Sequence, residues 1–250
     1  MALPIWIPDA LRSERQGVSR VFWRCVEAQH IVSTLQLVDT LDEQRILEDM
    51  LEETKPPVPP DCAGLHYLYM TPFRYGLYPN GSRFRRAGPT PGVYYVSEEP
   101  ATAIIETAFH LLLFYADSPG TPFPAQPSEH TAFDVPVRTD AAIDLMSKPF
   151  SDAANLWTHP NDYEACQQLE EAARAESIGL IRYASVRDPE HRPNAATPTQ
   201  NQTWRLWFNK TGVHTICEFR GERFGIPALA WETDERLKRL FSADTTQKTP

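Results

Sequence analysis

The side chains whose types and spacing could do chemistry fall mostly in one stretch. They are Arg74-Tyr75, the turn Gly81-Ser82-Arg83-Phe84-Arg85-Arg86, the pair Tyr94-Tyr95, and Glu106, with Ser185 much later. A guanidinium fork binds two phosphate oxygens at once, so the arginines call for a phosphorylated ligand. Tyrosine rings offer flat faces for an aromatic head. A carboxylate beside such a ligand stabilises positive charge that develops on a sugar. The chain is otherwise acidic: it has 250 residues, 42% of them hydrophobic, and a net charge of −9. That balance excludes a general binder of nucleic acid or anionic membranes, and makes a local basic patch informative.

These residues need elements to position them. Val21-Phe22-Trp23 reads as a strand. Thr40-Leu41-Asp42-Glu43 is a capping box that opens a helix carrying Leu47, Met50 and Leu51 on one face. Lys55-Pro56-Pro57-Val58-Pro59-Pro60 ends that helix, because proline lacks the donor and excludes the α conformation before it. Leu65, Tyr67 and Tyr69 alternate, predicting a strand, and Gly92–Val96 predicts a second. Ser97 is the expected cap of the next helix, with Pro100 in its first turn. Ile104, Ile105, Ala108, Leu112 and Tyr115 keep helical spacing, with Glu106 on the flank beside Thr102 and His110.

Further along, 117–130 reads as a proline-bearing loop, and Ala132–Val137 and Ala141–Met146 as two short strands. Tyr163–Glu176 reads as a helix, and Ile178–Ala184 as a strand delivering Ser185. Residues 188–202 read as a loop that could act as a lid. Trp204–Phe208 and Val213–Phe219 form a hairpin around Asn209-Lys210-Thr211-Gly212, and Asp234–Phe241 is a short final helix. The expected class is α+β, a mixed sheet flanked by helices. Its expected divisions are an N-terminal extension over 1–60, a catalytic domain over 61–242 and a disordered tail over 243–250.

Several chemistries are disfavoured. Cys25, Cys62, Cys166 and Cys217 make no C-x-x-C pair, so reduced thiols are expected. The seven histidines show no metal-ligand spacing. There is no Gly-x-Ser-x-Gly elbow and no glycine-rich phosphate loop. No signal peptide or membrane-length apolar run is visible, so the expected location is cytoplasmic. A nicotinamide dinucleotide would suit the groups present, its diphosphate on Arg74, its ring on Tyr75 and Tyr95, its sugar beside Glu106. Without a Rossmann-type loop it would be a consumed substrate rather than a cofactor.

The sequence resembles the RES-domain family, named for an arginine, a glutamate and a serine. The resemblance rests on Phe73-Arg74-Tyr75, Gly81-Ser82-Arg83-Phe84, Val93-Tyr94-Tyr95-Val96-Ser97, Ala103-Ile104-Ile105-Glu106 and Gly179-Leu180-Ile181-Arg182-Tyr183-Ala184-Ser185, and runs from about Val21 to Phe219. It implies a fold similar to the ADP-ribosyltransferases and a toxin that degrades NAD by hydrolysis or phosphorolysis. It also implies neutralisation by an Xre-type antitoxin protein. Arg74, Tyr95, Glu106 and Ser185 would be catalytic, and Tyr75, Arg83 and Tyr94 would bind substrate. Of the tyrosine pair, Tyr95 is assigned to the cleft by the family match. The family often has Gly-Arg-Trp-Asn where this chain reads Ser82-Arg83-Phe84-Arg85. The expected partners are NAD, with inorganic phosphate as one acceptor, and the antitoxin; no nucleic acid or membrane is expected, and a homodimer is permitted. Two other readings stay open: an ADP-ribosyltransferase that modifies a protein, and a non-catalytic interaction module.

Overall fold

The computed structural model describes residues 4–28, 34, 37–75, 77–194, 201–209, 212–217 and 223–241. In chain order the elements are α1 (Ile7–Ser13), β1 (Gln16–Glu27), α2 (Leu41–Thr54), α3 (Tyr67–Arg74), β2 (Leu77–Tyr78), β3 (Gly88–Pro89), α4 (Pro100–Asp117), β4 (Ser128–Asp144), α5 (Ala154–Trp157), α6 (Glu164–Ala175), β5 (Leu180–Ala184), β6 (Pro193–Asn194), β7 (Asn201–Asn209), β8 (Gly212–Cys217), β9 (Arg223–Pro227) and α7 (Lys238–Phe241). This is a mixed α+β fold, its curled sheet flanked by helices.

The long strand β4 organises the sheet. One of its edges pairs antiparallel with β1, from Gln16↔Ala142 to Glu27↔His130. Its other edge is shared. Ser128–Phe133 pair antiparallel with β7, and Ala142–Asp144 pair parallel with β5. The sheet therefore forks into β5–β6 on one branch and β7–β8–β9 on the other. Ser97 then closes the curl. It exchanges backbone hydrogen bonds with Trp23 of β1, at 2.6 and 2.8 Å, and bridges to Asn194 of β6.

Alternation along β1 sends Phe22 and Trp23 to opposite faces, so the sheet carries cores on both sides. Ile104, Ile105, Ala108, Phe109 and Leu112 of α4 pack with Cys25, Ala132, Val213, Ile226 and Trp231 on one side. Phe22, Phe133, Val135, Leu180 and Val96 form a second cluster. A third joins α1 and α6 to Phe84, Phe150 and Trp157.

The α2 start is built as its capping box requires. Thr40 Oγ1 accepts from Glu43 N at 3.2 Å, and the Glu43 carboxylate accepts from Thr40 N at 3.0 Å. On the face expected to be apolar, Leu47 is half-buried while Met50 and Leu51 are exposed.

Several expectations change. Leu65–Tyr69 is not a strand: α3 begins at Tyr67, with His66 Nδ1 accepting from Leu68 N at the cap. Pro72 sits inside that helix and cannot donate to Leu68 O; the Tyr94 hydroxyl donates to that carbonyl instead, at 3.2 Å. The alternation of Tyr67 and Tyr69 is outweighed by tertiary contacts, including Tyr69 against Phe133. Residues 91–96 lie outside any ladder, pressed against α3. A Cβ on Gly92 would come within 2.8 Å of Pro72 O, so only glycine permits that approach.

Ser97 does not cap α4. The N-cap is Glu99 without a side-chain bond, although Pro100 does occupy the first turn. The two short strands expected over 132–146 are one strand, β4, because β1 pairs through the joining stretch, from Val18↔Thr139 to Val21↔Pro136, and leaves no turn. Only Lys238–Phe241 of the final segment is helical. The 188–202 loop contains β6, and 195–200 fall outside the described residues, as do the hairpin turn at 210–211 and the tail at 243–250. Among the described residues no helix is long and apolar enough to cross a membrane, and no His/Cys/Asp/Glu cluster could hold a metal ion.

Candidate active site

Glu106 sits on the flank of α4, half-buried, with its helix fixed on both sides. Thr107 Oγ1 donates to Cys25 O of β1 at 3.1 Å, and Thr102 Oγ1 donates to Asp188 at 2.7 Å. Ser185, at the end of β5, is fully buried and donates to Glu106 Oε1 at 2.6 Å. Its oxygen also accepts from Asp188 N at 3.0 Å, which turns the chain sharply. Asn194 Nδ2 donates to the same Oε1 at 3.0 Å. Among the described residues Oε2 of Glu106 accepts nothing.

Arg83 approaches from the Gly81–Arg85 turn. Gly81 has φ of 60°, and a Cβ there would lie 2.9 Å from Ala87 N, so the turn requires glycine. Tyr95 holds the turn: its hydroxyl accepts from Phe84 N at 2.8 Å and pairs with Ser82 Oγ at 2.9 Å. Burial pushes the Tyr95 phenol up to about 12, so it keeps its proton at neutral pH. The buried Arg83 guanidinium donates to Trp157 O and His159 O, both at 2.9 Å, and lies 4.7 Å from the Tyr163 ring centre. Among the described residues no carboxylate is bound to it.

A second basic corner adjoins. Arg187, two residues past Ser185, donates to Asp234 at 3.1 Å and to the Tyr163 hydroxyl at 2.9 Å, and stacks 4.0 Å over Phe109. Arg236 chelates Asp234 at 2.9 and 2.8 Å. His110, one turn beyond Glu106, is exposed by area yet crowded by protein. That crowding lowers its pKa; Glu106 opposes the shift, and Arg187, Arg236 and Arg83 reinforce it. Burial holds the Tyr183 phenol well above its ordinary range, with Glu106 adding to the shift and Arg83 opposing it. The charges of Glu106 and Arg83 thus act on the same neighbours. The arrangement can hold an anion beside a carboxylate with one open oxygen.

The remaining residues singled out in the sequence lie elsewhere. Arg74 ends α3 and is held by the N-terminal part: it bonds Pro56 O at 2.5 Å and pairs with Glu52 at 2.6 Å. No contact joins it to Glu106 or Ser185. Tyr75 is exposed. Tyr94 turns away from Tyr95, stacking on Phe73 and lying under Arg24. Arg85 is buried against Thr90 and Tyr78, and Arg86 pairs with Glu164 and Glu171. A cavity of about 490 Å³ beside the site is lined by Tyr69, Phe73, Phe84, Tyr94, Tyr95 and Tyr183, among others, but by neither Glu106 nor Ser185. Asn194, Arg187, Tyr163 and Asp234 were not singled out from sequence. The one local signal was Arg187, in the same strand-end loop as Ser185.

Residues 58–209 match the RES domain. The chain belongs to the RES domain family. Glu106, Ser185, Arg83 and Asn194 of this RES domain all lie inside the matched segment, while α2 and Asp234 lie outside it. No curated protein matches the chain. Among solved structures, a chain of the crystal structure of the M. tuberculosis MbcT–MbcA toxin–antitoxin complex is similar, with 12% identity and a TM-score of 0.43, over 97% of this chain and 100% of that one.

Proposed function

We propose that this RES domain consumes NAD by breaking its nicotinamide N-glycosidic bond, and that it acts as a cytoplasmic toxin held in check by an antitoxin protein. The observation that carries the catalytic part is Glu106, held on one oxygen by Ser185 and Asn194, with the other oxygen open and a buried Arg83 without an acid partner among the described residues. The toxin and antitoxin parts rest on family membership. Arg83, rather than Arg74, is the arginine best placed for the anionic diphosphate. NAD is a substrate here and not a resident cofactor.

In the proposed reaction the bond between the ribose C1′ and the nicotinamide nitrogen breaks. Its electron pair leaves with the ring as neutral nicotinamide. The sugar becomes oxocarbenium-like, and the negative Oε2 of Glu106 stabilises it at close range. Water or inorganic phosphate then attacks C1′, giving ADP-ribose and a proton, or ADP-ribose 1-phosphate. Tyr95 has a supporting role, since its phenol is tied to the Arg83 turn.

The test is to incubate purified protein with NAD, with and without phosphate, and to follow nicotinamide and ADP-ribose products. Glu106→Gln keeps shape and deletes charge, so turnover falls by about 10²–10³-fold with the fold intact. Unchanged NAD in both buffers refutes the reading. Transfer of label from NAD to a protein, with little free ADP-ribose, moves the acceptor to a protein side chain.

A further inference from the structure

We propose that Asn194 is a positioning residue that selects which oxygen of Glu106 works, and that Ser97 sets the orientation of its amide. The proposal rests on the NAD-cleaving role of Glu106 given above.

Asn194 and Ser97 are both almost wholly buried. Asn194 can turn its amide either way, and its neighbours decide. A carboxylate only accepts, so the face toward Glu106 must be Nδ2, found at 3.0 Å. The carbonyl face then needs a donor, and Ser97 Oγ supplies it at 2.7 Å. The amide also reaches the Tyr183 hydroxyl. Each polar atom of Asn194 is therefore engaged in one direction only. Ser97 cannot easily move, because its backbone closes the sheet between Trp23 and β6. Rigidity at the sheet closure is passed through two side chains to the carboxylate.

The consequence falls on Glu106. Asn194 and Ser185 both bond Oε1, from β6 and from the end of the neighbouring strand β5. Two donors on one oxygen fix the carboxylate plane and present Oε2 to the cleft. Holding a carboxylate to within a fraction of an ångström matters, because misplacement by about 1 Å can cost on the order of 10²-fold in rate. Two groups from other elements feel the charge of Glu106, Tyr183 from β5 and Arg187 from the loop after β5; Arg83 from the Gly81–Arg85 turn and Arg236 from the C-terminal segment act on these neighbours and on His110. His110 faces Glu106 from its own helix.

Three variants test the relay. Asn194→Ala removes the donor and is expected to lower kcat roughly 10–100-fold with KM for NAD little changed. Asn194→Asp keeps the shape and places a second carboxyl against the first. The two then share a proton, so the acidic limb of the pH–rate profile moves to higher pH. Ser97→Ala frees the amide to turn and gives a smaller fall in kcat. A purely structural role for Asn194 would lower stability without moving the acidic limb.

One measurement needs no activity. In ¹H–¹⁵N spectra of the full chain, the Asn194 side-chain amide resonances are expected to move on Glu106→Gln and on Ser97→Ala. Static amide resonances in both variants overturn the relay even if NAD is consumed. Moving resonances support the contacts of the relay even if NAD proves not to be the substrate. An Asn194→Ala enzyme with wild-type kcat, or an Asn194→Asp enzyme whose acidic limb stays in place, also overturns it.

Discussion

Asp234→Ala is expected to be among the most damaging single changes outside the matched domain. Asp234 is buried, its side chain 4% exposed, and receives Arg187, itself 7% exposed, together with Arg236. A backbone bond from Arg236 N adds to the cluster at 3.1 Å. Removing the acid leaves Arg187 buried beside Arg236 with the shared anion gone, and like charges then face each other over Phe109. Breaking a buried pair from one side costs about 3–5 kcal/mol, most of it from the stranded charge. Arg187 also accepts Trp231 Nε1 on its carbonyl at 2.8 Å, so the loop after Ser185 loosens with it.

Urea unfolding at pH 7 reads the loss as a lower midpoint at unchanged slope. The difference should depend on pH. Burial alone would raise the Asp234 carboxyl, but the bond and charge of Arg236, with Arg187 behind it, outweigh this and hold it below its ordinary value. A depressed carboxyl contributes stability above its unfolded pKa, about 3.9, and loses it as pH falls through the folded value. The gap between wild type and variant is therefore full at neutral pH and closes in acid. A loss below about 1 kcal/mol at pH 7, or a gap that stays constant down to about pH 3, refutes the reasoning.

Two further predictions follow from the site. Tyr95→Phe strands the buried Phe84 N–H and the Ser82 hydroxyl, costing about 1–3 kcal/mol in chemical denaturation; in the wild type the phenol stays protonated in the folded chain while the unfolded one ionises near 10, so stability from Tyr95 is present below about pH 10 and lost toward about 12. Arg74→Ala frees Glu52 and Pro56 yet leaves NAD consumption close to wild type, whereas Arg83→Ala raises KM for NAD at least tenfold; the reverse order in a steady-state assay returns the diphosphate role to Arg74.

Much of the local structure is legible in the sequence. The Thr40–Glu43 box, the proline stop after Thr54, Pro100 opening α4, the β5 strand delivering Ser185 and the β7–β8 hairpin are all signalled by neighbours within a few residues. The opposite facing of Tyr94 and Tyr95 follows from the geometry of extended backbone alone. These signals act through backbone propensity and short-range hydrogen bonds, which are written in adjacent positions. Glu106 stands out as an acid among apolar neighbours, and the resemblance to the RES-domain family adds Arg83 and Ser185 to it.

The tertiary structure decides the rest, for reasons of distance and competition. Leu65–Tyr69 alternates like a strand, but α3 wins once Tyr94 satisfies the carbonyl that Pro72 leaves open. Ser97 has the look of a helix cap, yet its hydroxyl is taken by Asn194 from 97 positions away. Arg74 and Glu106 share one stretch of sequence but make no contact, because Glu52 of α2 and the Pro56 carbonyl hold the arginine. Glu106 and Ser185 stand 79 positions apart and meet at 2.6 Å, because α4 packs on β1, β4 and β6 while β5 runs between β4 and β6. A sequence can name the groups a site needs. Which of them share an oxygen is settled only when the sheet closes at Ser97, since pairing across long loops depends on the whole packed arrangement rather than on any local preference.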